Sequence, residues 1–419
     1  MLTLGSLFTG AGGLDIAVED VFGARTVWRS DIKPASVRLI DHYWPGSNIG
    51  DITEADWSQV PPVDVISGGS PCQDMSAAGR RAGMTTGSRS GLWAHMRQAI
   101  EAIRPRYVVW ENVEGAYSAC AETDSDDHLG PCPRCVEMDN RRLRHAPNVR
   151  AVGRVLGDLA NLGFDAEWIN VRASDVGAPH RRGRVFTLAW RADAHPVGGG
   201  WDGGAHVPVG QPVGGAAATG GGAETRGGLT LLPTPTVVQR PNKSASPGAA
   251  LRLPLEGVVQ LLPTPRVSDS TGPGVHGNGG LDLRTAVIEH LLPTPRHSDG
   301  PHGTVSDTPA ARRHVAEGRG TLPEVAATTQ DWQKYERAIR HWEARTRPAP
   351  APTITGPKGG QRISPDFVDW MMGWPAGWTA VPGVSRPQRL SLGGDGVVPQ
   401  QAAAALRIML ARATGEAVA

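Results

Sequence analysis

Residues 1–190 predict a doubly wound α/β sheet, and three observations carry that prediction. Short apolar runs recur along the segment, at Leu2–Phe8, Thr26–Trp28, Val63–Ser67, Tyr107–Trp110, Glu167–Val171 and Arg184–Ala189. Such runs, bounded by Gly or Pro, suit buried parallel strands. Amphipathic stretches lie between them. In the clearest, Val152, Val155, Leu156, Leu159 and Leu162 share one helical face and Gly163 supplies a stop. The first strand also runs straight into a glycine-rich turn, Gly10-Ala11-Gly12-Gly13. Strands alternating with helices build a sheet covered on both faces.

At 419 residues, the chain holds two domains or one large domain with an insertion. Its 54 Gly and 35 Pro contrast with 13 Trp, 4 Tyr and 5 Phe, and Trp201 is the single aromatic in residues 192–330. That stretch therefore has no ordinary aromatic core. No window approaches the ~20 apolar residues of a membrane span, and the N-terminus lacks a basic segment followed by an apolar one. The expectation is a cytoplasmic protein that does not engage membranes. Four cysteines do not make a disulfide framework. A net charge of +1 means that any basic surface is local, with 180–191 and 334–347 the candidate stripes.

The composition changes at residue 192. Residues 196–228 are rich in Gly, Ala, Pro and Val and read as a linker. A repeat follows: Leu231-Leu232-Pro233-Thr234-Pro235 returns at 261–265 and 291–295, with Leu322-Pro323 a decayed fourth copy. The second and third copies continue as Arg266-Val267-Ser268-Asp269 and Arg296-His297-Ser298-Asp299. A repeat this short suggests a unit that cannot bury its apolar face alone, and its two prolines exclude a helix interior. Trp332, Tyr335, Ile339 and Trp342 then fall at helical spacing within 331–347, with an N-cap near Gln330–Asp331. A proline-rich break, an apolar segment from Phe367 to Pro375, a glycine-rich turn at 393–396 and a helix from about Pro399 complete the chain.

Four strand-end motifs carry chemistry. Glycines after the first strand allow close backbone approach to a ligand at a helix N-terminus, and Asp31 follows the next strand, where an acid can hold ribose hydroxyls. The pair fits a dinucleotide site, a methyl-donor site or a tight structural turn. Cys72, in Gly68-Gly69-Ser70-Pro71-Cys72-Gln73, is delivered to a loop where a thiol can become a thiolate nucleophile; the plainer reading is a small buried Cys. Glu111, in Trp110-Glu111-Asn112-Val113, is a candidate general acid, or a helix cap or surface acid. Arg182 and Arg184 alternate, so on a strand they face one side, as a site pair or as an exposed basic edge.

Taken in order, Phe8-x-Gly10-x-Gly12-Gly13, Pro71-Cys72-Gln73, Glu111-Asn112-Val113, Arg182-x-Arg184, a variable stretch and Gly394-x-x-Val397-x-Pro399 resemble the DNA cytosine-5 methyltransferases. The resemblance covers residues 1–190 and about 362–412, and the repeats and closing segment look like the phage and actinobacterial branch. It implies a Rossmann-like S-adenosylmethionine-dependent methyltransferase sheet with a smaller, irregular recognition domain. Residues 1–191 would form the catalytic domain with an insertion at 117–149. Residues 192–360 would form the linker and target-recognition region, and 361–419 would complete the catalytic fold. Phe8, Gly10, Gly12, Gly13, Leu14, Asp31, Ile32, Asp51, Ile52, Pro71, Asp395 and Val397 would hold S-adenosylmethionine. Cys72 would be the nucleophile, Glu111 would hold and protonate cytosine N3, and Arg182 and Arg184 would position the loop and the cytosine carbonyl. Double-stranded DNA is the implied partner, with Gln73, Ser76, Arg266 and Arg296 as candidate contacts; the plainer reading of the repeat arginines is solvated side chains on a packing scaffold. A monomer is expected, serving restriction–modification beside an independent endonuclease, or shielding phage DNA.

Three positions depart from the family pattern. His180 stands where Gln is usual, and Asp395 where Asn is usual. The chain between Val113 and Val149 is also longer than the minimum and carries Cys120, Cys132 and Cys135. With His128 or His145, these could make a small structural zinc site, against a loop with free thiols. Competing classes are a dinucleotide-dependent oxidoreductase, a catalytically dead DNA-binding relative and an RNA methyltransferase.

Overall fold

The computed structural model describes residues 1–71, 92–117, 120–121, 149–191, 291–301, 307–316, 319–329, 332–357 and 359–414. The strands are β1 (Leu2–Leu7), β2 (Ala24–Ser30), β3 (Val65–Gly68), β4 (Tyr107–Val113), β5 (Cys120–Ala121), β6 (Val149–Arg150), β7 (Phe164–Arg172), β8 (Gly183–Arg191), β9 (Thr353–Thr355) and β10 (Gln361–Ile363). Six of them form one sheet in the order β2-β1-β3-β4-β8-β7. β1, β2, β3 and β4 pair in parallel, whereas β8 runs antiparallel to both β4 and β7. The all-parallel expectation is thus corrected at β8. Its connection to β7 is ten residues, too short for the crossover that a parallel neighbour requires.

Ten helices are described: α1 (Gly13–Phe22), α2 (Pro34–Tyr43), α3 (Trp93–Ile103), α4 (Ala151–Asn161), α5 (Pro309–Ala316), α6 (Leu322–Thr328), α7 (Gln333–Glu343), α8 (Pro365–Met371), α9 (Arg386–Asp395) and α10 (Pro399–Thr414). One face of the sheet is covered by α3 and α4, whose Trp93, Met96, Ile100, Val155 and Leu159 pack with Ile66, Val108, Trp110 and Val185. The other face is covered by α1 and α10, through Leu14, Val18, Leu406 and Met409 against Leu4, Val65, Val109 and Phe186. The sheet is therefore wound on both sides, and the C-terminal helix completes it. Each such apolar side chain contributes roughly 1.5–3 kcal/mol on burial.

A third apolar cluster joins residues far apart in sequence. Leu292, Leu322, Val325, Tyr335 and Trp342 bury against Phe367, Trp370, Met371 and Leu390. The Trp342 indole donates to the Trp370 carbonyl at 2.8 Å, and the Trp370 indole to the Arg347 carbonyl at 2.9 Å. Residues 1–198 and 290–419 accordingly form one compact unit. The expected boundary at 360/361 does not mark a break in packing, because the aromatic stripe of α7 has its apolar partners on α8. The N-cap expected near Gln330–Asp331 lies outside the described residues, as do the linker and the first two repeat copies. Among the described residues, no helix is long and apolar enough to cross a membrane.

Candidate active-site cavity

Parallel strands place their C-terminal ends on one edge, where open α/β sheets bind ligands. Here β1, β2, β3 and β4 deliver Phe8, Asp31, Gly69 and Glu111 to a cavity of about 460 Å³. That volume is in the range of small-molecule sites. The chain turns sharply after β1: Phe8 and Gly10 have φ of 56° and 59°, and Gly12 caps α1 with φ of 75°. The Gly10 N–H donates to Asp31 Oδ2 at 2.8 Å, and the Lys33 N–H to Asp31 Oδ1 at 2.8 Å. Asn48 braces the same turn, donating from Nδ2 to the Asp31 carbonyl at 3.1 Å and accepting the Asp31 N–H at 3.2 Å. The carboxylate is thus fixed by backbone donors before any ligand arrives.

Beyond β3, Ser70 is held in turn. The Trp110 indole donates to Ser70 Oγ at 3.0 Å and Asn112 Nδ2 to the Ser70 carbonyl at 3.1 Å. Two residues of the Trp110-Glu111-Asn112 motif therefore shape the loop that leads through Pro71 to position 72. The third, Glu111, is buried and lines the cavity. Its Oε1 lies 2.8 Å from Arg184 Nε. The two are diagonal neighbours on one face, since Glu111 pairs with Phe186 and Val113 with Arg184. Burial raises the Glu111 pKa, and the nearby charges of Arg184 and Arg182 pull it back only in part. A carboxyl so placed holds its proton more readily than an exposed one and can give it to a bound base.

Of the expected cofactor residues, Phe8, Gly10, Asp31, Ile32, Asp51, Ile52, Pro71 and Asp395 line this cavity, with Glu111 and Arg184. Gly12, Gly13, Leu14 and Val397 do not. Gly13 instead allows a backbone approach: a Cβ there would lie 2.2 Å from the Val397 carbonyl oxygen. Gly13, Leu14 and Val397 border a neighbouring void of about 50 Å³ that shares Phe8, Gly10, Gly69, Glu111 and Asp395 with the larger cavity.

Arg182 is placed differently from its expectation. It precedes β8 with φ of 28°, so the strand alternation that would align it with Arg184 is broken. Its guanidinium is buried and donates to the carbonyls of Pro295, Gly394 and Gly396. It therefore clamps the third repeat copy to the end of α9 and does not line the cavity. His180, fully buried, bonds the Met371 carbonyl at 3.1 Å, and burial lowers its pKa to about 3, so it is neutral.

Cys72, Gln73, Ser76, Arg266, Cys132 and Cys135 lie outside the described residues. Cys120 lies in β5, paired with Arg150. The zinc expectation finds no support: among the described residues no group of three or more His, Cys, Asp or Glu is placed to hold a metal. Arg296 is exposed, and its N–H donates to Asp299 Oδ2 at 2.8 Å. Residues absent from the sequence-based site are Lys33, Asn48, Ser70 and His297. Two of them carried a signal: Ser70 lies within the Gly68-to-Gln73 motif, and His297 stands where the second repeat copy has Val267.

The parallel strands β1 to β4, the helices on both faces and the cavity at the strand ends make this a Rossmann-like fold. Residues 2–125 and 133–211 match the C-5 cytosine-specific DNA methylase family. The type II methyltransferase M.NlaIV of Neisseria lactamica is 27% identical over 186 residues, 43% of this chain and 39% of that protein. A DNA N-6-adenine-methyltransferase of Escherichia phage P1 is 28% identical over 227 residues, 47% of this chain and 29% of that one. The chain thus spans less than half the length of these curated relatives. The crystal structure of the S. pombe Dnmt2 methyltransferase superposes with a TM-score of 0.47 at 12% identity, covering 98% of this chain and 99% of that one.

Proposed function

We propose that this chain transfers a methyl group from S-adenosylmethionine to C5 of cytosine in double-stranded DNA, through a covalent adduct at Cys72 with the base flipped out of the helix. The observation that carries the reading is Glu111. It is a buried acid, pinned by Arg184, in a cavity that the held carboxylate of Asp31 also lines. The cavity fits the cofactor. Asp31 keeps lone pairs for ribose hydroxyls beyond its two backbone donors. Phe8, Ile32, Ile52 and Leu92 give apolar walls for a nucleoside base, and Asp51 stands beside them. When bound, S-adenosylmethionine supplies an electrophilic methyl on sulfonium.

The chain's own residues do the rest. Cytosine C5 is too weak a nucleophile to accept a methyl unaided. Glu111 donates its proton to N3 as the Cys72 thiolate adds to C6, and the electron pair moves to C5. After methylation, C5 loses its proton to a base, the C6–S bond breaks with its electron pair leaving as the thiolate, and N3 returns its proton to Glu111, which restores the ring. Arg184 keeps the Glu111 carboxyl pointed into the cavity. Flipping the base costs a few kcal/mol, which phosphate contacts must offset. Residues 192–360 would read the sequence, with Arg266 and Arg296 suited to guanine or phosphate. The biological setting would be restriction–modification or phage self-protection, acting as a monomer.

The test is methyl transfer from labelled S-adenosylmethionine to duplex DNA, with identification of the modified atom. The expected product is 5-methylcytosine, Cys72→Ala abolishes it, and 5-fluorocytosine DNA traps the wild type covalently. Methylation at adenine N6, or full activity of Cys72→Ala, overturns the reading. Exchanging residues 192–360 for those of a relative should change the methylated sequence.

A further inference from the structure

The third repeat copy packs against Gly394 and Asp395, which line the cavity. The Leu292 N–H donates to the Pro179 carbonyl at 2.8 Å, and Ser391 Oγ to the His297 carbonyl at 3.3 Å. The backbones touch: a Cβ on Gly394 would stand 1.9 Å from His297 N, and one on Gly300 2.2 Å from Ser391 Oγ. At this contact Asp395 Oδ2 accepts from Lys33 Nζ at 2.9 Å and from His297 Nδ1 at 3.0 Å. Lys33 and Asp395 both line the cavity.

Two sequence departures meet at this point. Asp395 replaces the family's usual Asn, and His297 replaces the Val of the second repeat copy. An acid at the rim gains a second cationic partner from the one copy that carries His. The two changes are complementary, since Val could not hold an acid and Asn would need no charge partner.

We propose that His297 is a positioning residue of the cofactor cavity, fixing the Asp395 carboxylate together with Lys33 and so coupling cofactor affinity to docking of the third repeat copy. This rests on the cofactor reading above. The charged groups around His297 are Asp395 from α9, Lys33 from the turn before α2, and Arg296 and Asp299 on its own segment. Arg182 bonds the carbonyls of Pro295 and Gly394 on either side of the contact. The hydrogen bond to Asp395 raises the His297 pKa. Although burial opposes it, the His297 hydrogen bond and the Lys33 charge hold Asp395 at about 2. The raised histidine gives its full contribution below about pH 6.5, and that contribution is lost as pH rises through the folded-state value.

Two measurements on the full chain test this. The first is the imidazole titration of His297 by NMR without cofactor. It should lie above the ordinary value of about 6.5 in the wild type and return toward it in Asp395→Asn. The second is the calorimetric Kd of S-adenosylmethionine from pH 6 to 8.5. Wild-type binding should weaken several-fold as pH rises. His297→Val should bind about tenfold more weakly at low pH, the size of one charge-assisted hydrogen bond, with a flat profile. His297→Lys should bind tightly and also be flat. An ordinary titration in the wild type, or a His297→Val protein with wild-type affinity and pH profile, overturns the inference. Absence of binding by every variant, with the titration still displaced, marks failure of the cofactor reading and leaves the Asp395–His297 contact upheld.

Discussion

Glu111 and Asp15 are both buried carboxyls beside an arginine: Arg184 Nε lies 2.8 Å from Glu111 and Arg29 Nε 3.4 Å from Asp15. Burial raises the pKa of each, Asp15 to about 6. Their surroundings differ. Glu111 faces the 460 Å³ cavity. Asp15 meets only the 50 Å³ void and is otherwise enclosed, accepting from Ser6 Oγ at 2.6 Å. Its arginine is enclosed too, stacked 3.7 Å over Trp44 and reaching Glu19 at 3.9 Å. A perturbed acid therefore marks burial first. Only access to a space large enough for a substrate turns it into a reagent.

The comparison breaks most readily at Glu111. Glu111→Gln should lower kcat about 10²–10⁴-fold with cofactor affinity and thermal stability retained; a wild-type rate would remove Glu111 from the chemistry. Arg29→Met should do the converse. It leaves Asp15 buried without its cation, which costs about 3–5 kcal/mol in urea unfolding, while the rate per folded molecule stays near normal. A loss of less than about 1 kcal/mol would show that Arg29 does not stabilise the buried Asp15 carboxyl. Asp31→Ala should raise the S-adenosylmethionine Kd about 10–100-fold, the equivalent of a charge-assisted hydrogen bond, with kcat at saturation little changed.

The smallest effect is in pH. A carboxyl raised in the fold favours the folded state at low pH, and that advantage is lost as pH rises from about 4 through about 6. Asp15 contributes a falling slope of at most about 1.4 kcal/mol per pH unit, and Asp299, also raised by burial to about 6, adds to it. Asp395 acts in the opposite sense below about pH 4, its stabilisation lost as pH falls through about 2. Asp15→Asn should flatten the slope between pH 4 and 6 and leave the acid limb unchanged; an unaltered slope would show that Asp15 does not titrate there.

Much of the cavity edge is legible in the sequence. Each of Phe8, Asp31, Pro71 and Glu111 follows or ends an apolar run. Strand ends in a parallel sheet share one edge, so local pattern alone brings these four together. Arg182 was misread because its alternation with Arg184 assumes a strand already begun, whereas φ of 28° at Arg182 ends that assumption one residue early. The aromatic stripe of α7 signals a buried face without saying what buries it, so its packing on α8 across residue 360 is not legible in the sequence.

The sequence by itself determined the strands, the helices that cover them and the residues at the strand ends, since these follow from periodicities of two and 3.6 residues and from glycine at tight turns. Tertiary structure decided the direction of β8, the clamp of Arg182 on Gly394 and the meeting of Lys33, Asp395 and His297. The last joins residues 362 and 98 positions apart. No local pattern encodes such pairings, because they exist only once the α7–α8 aromatic cluster and α10 have folded back onto the sheet and brought both chain segments to one rim.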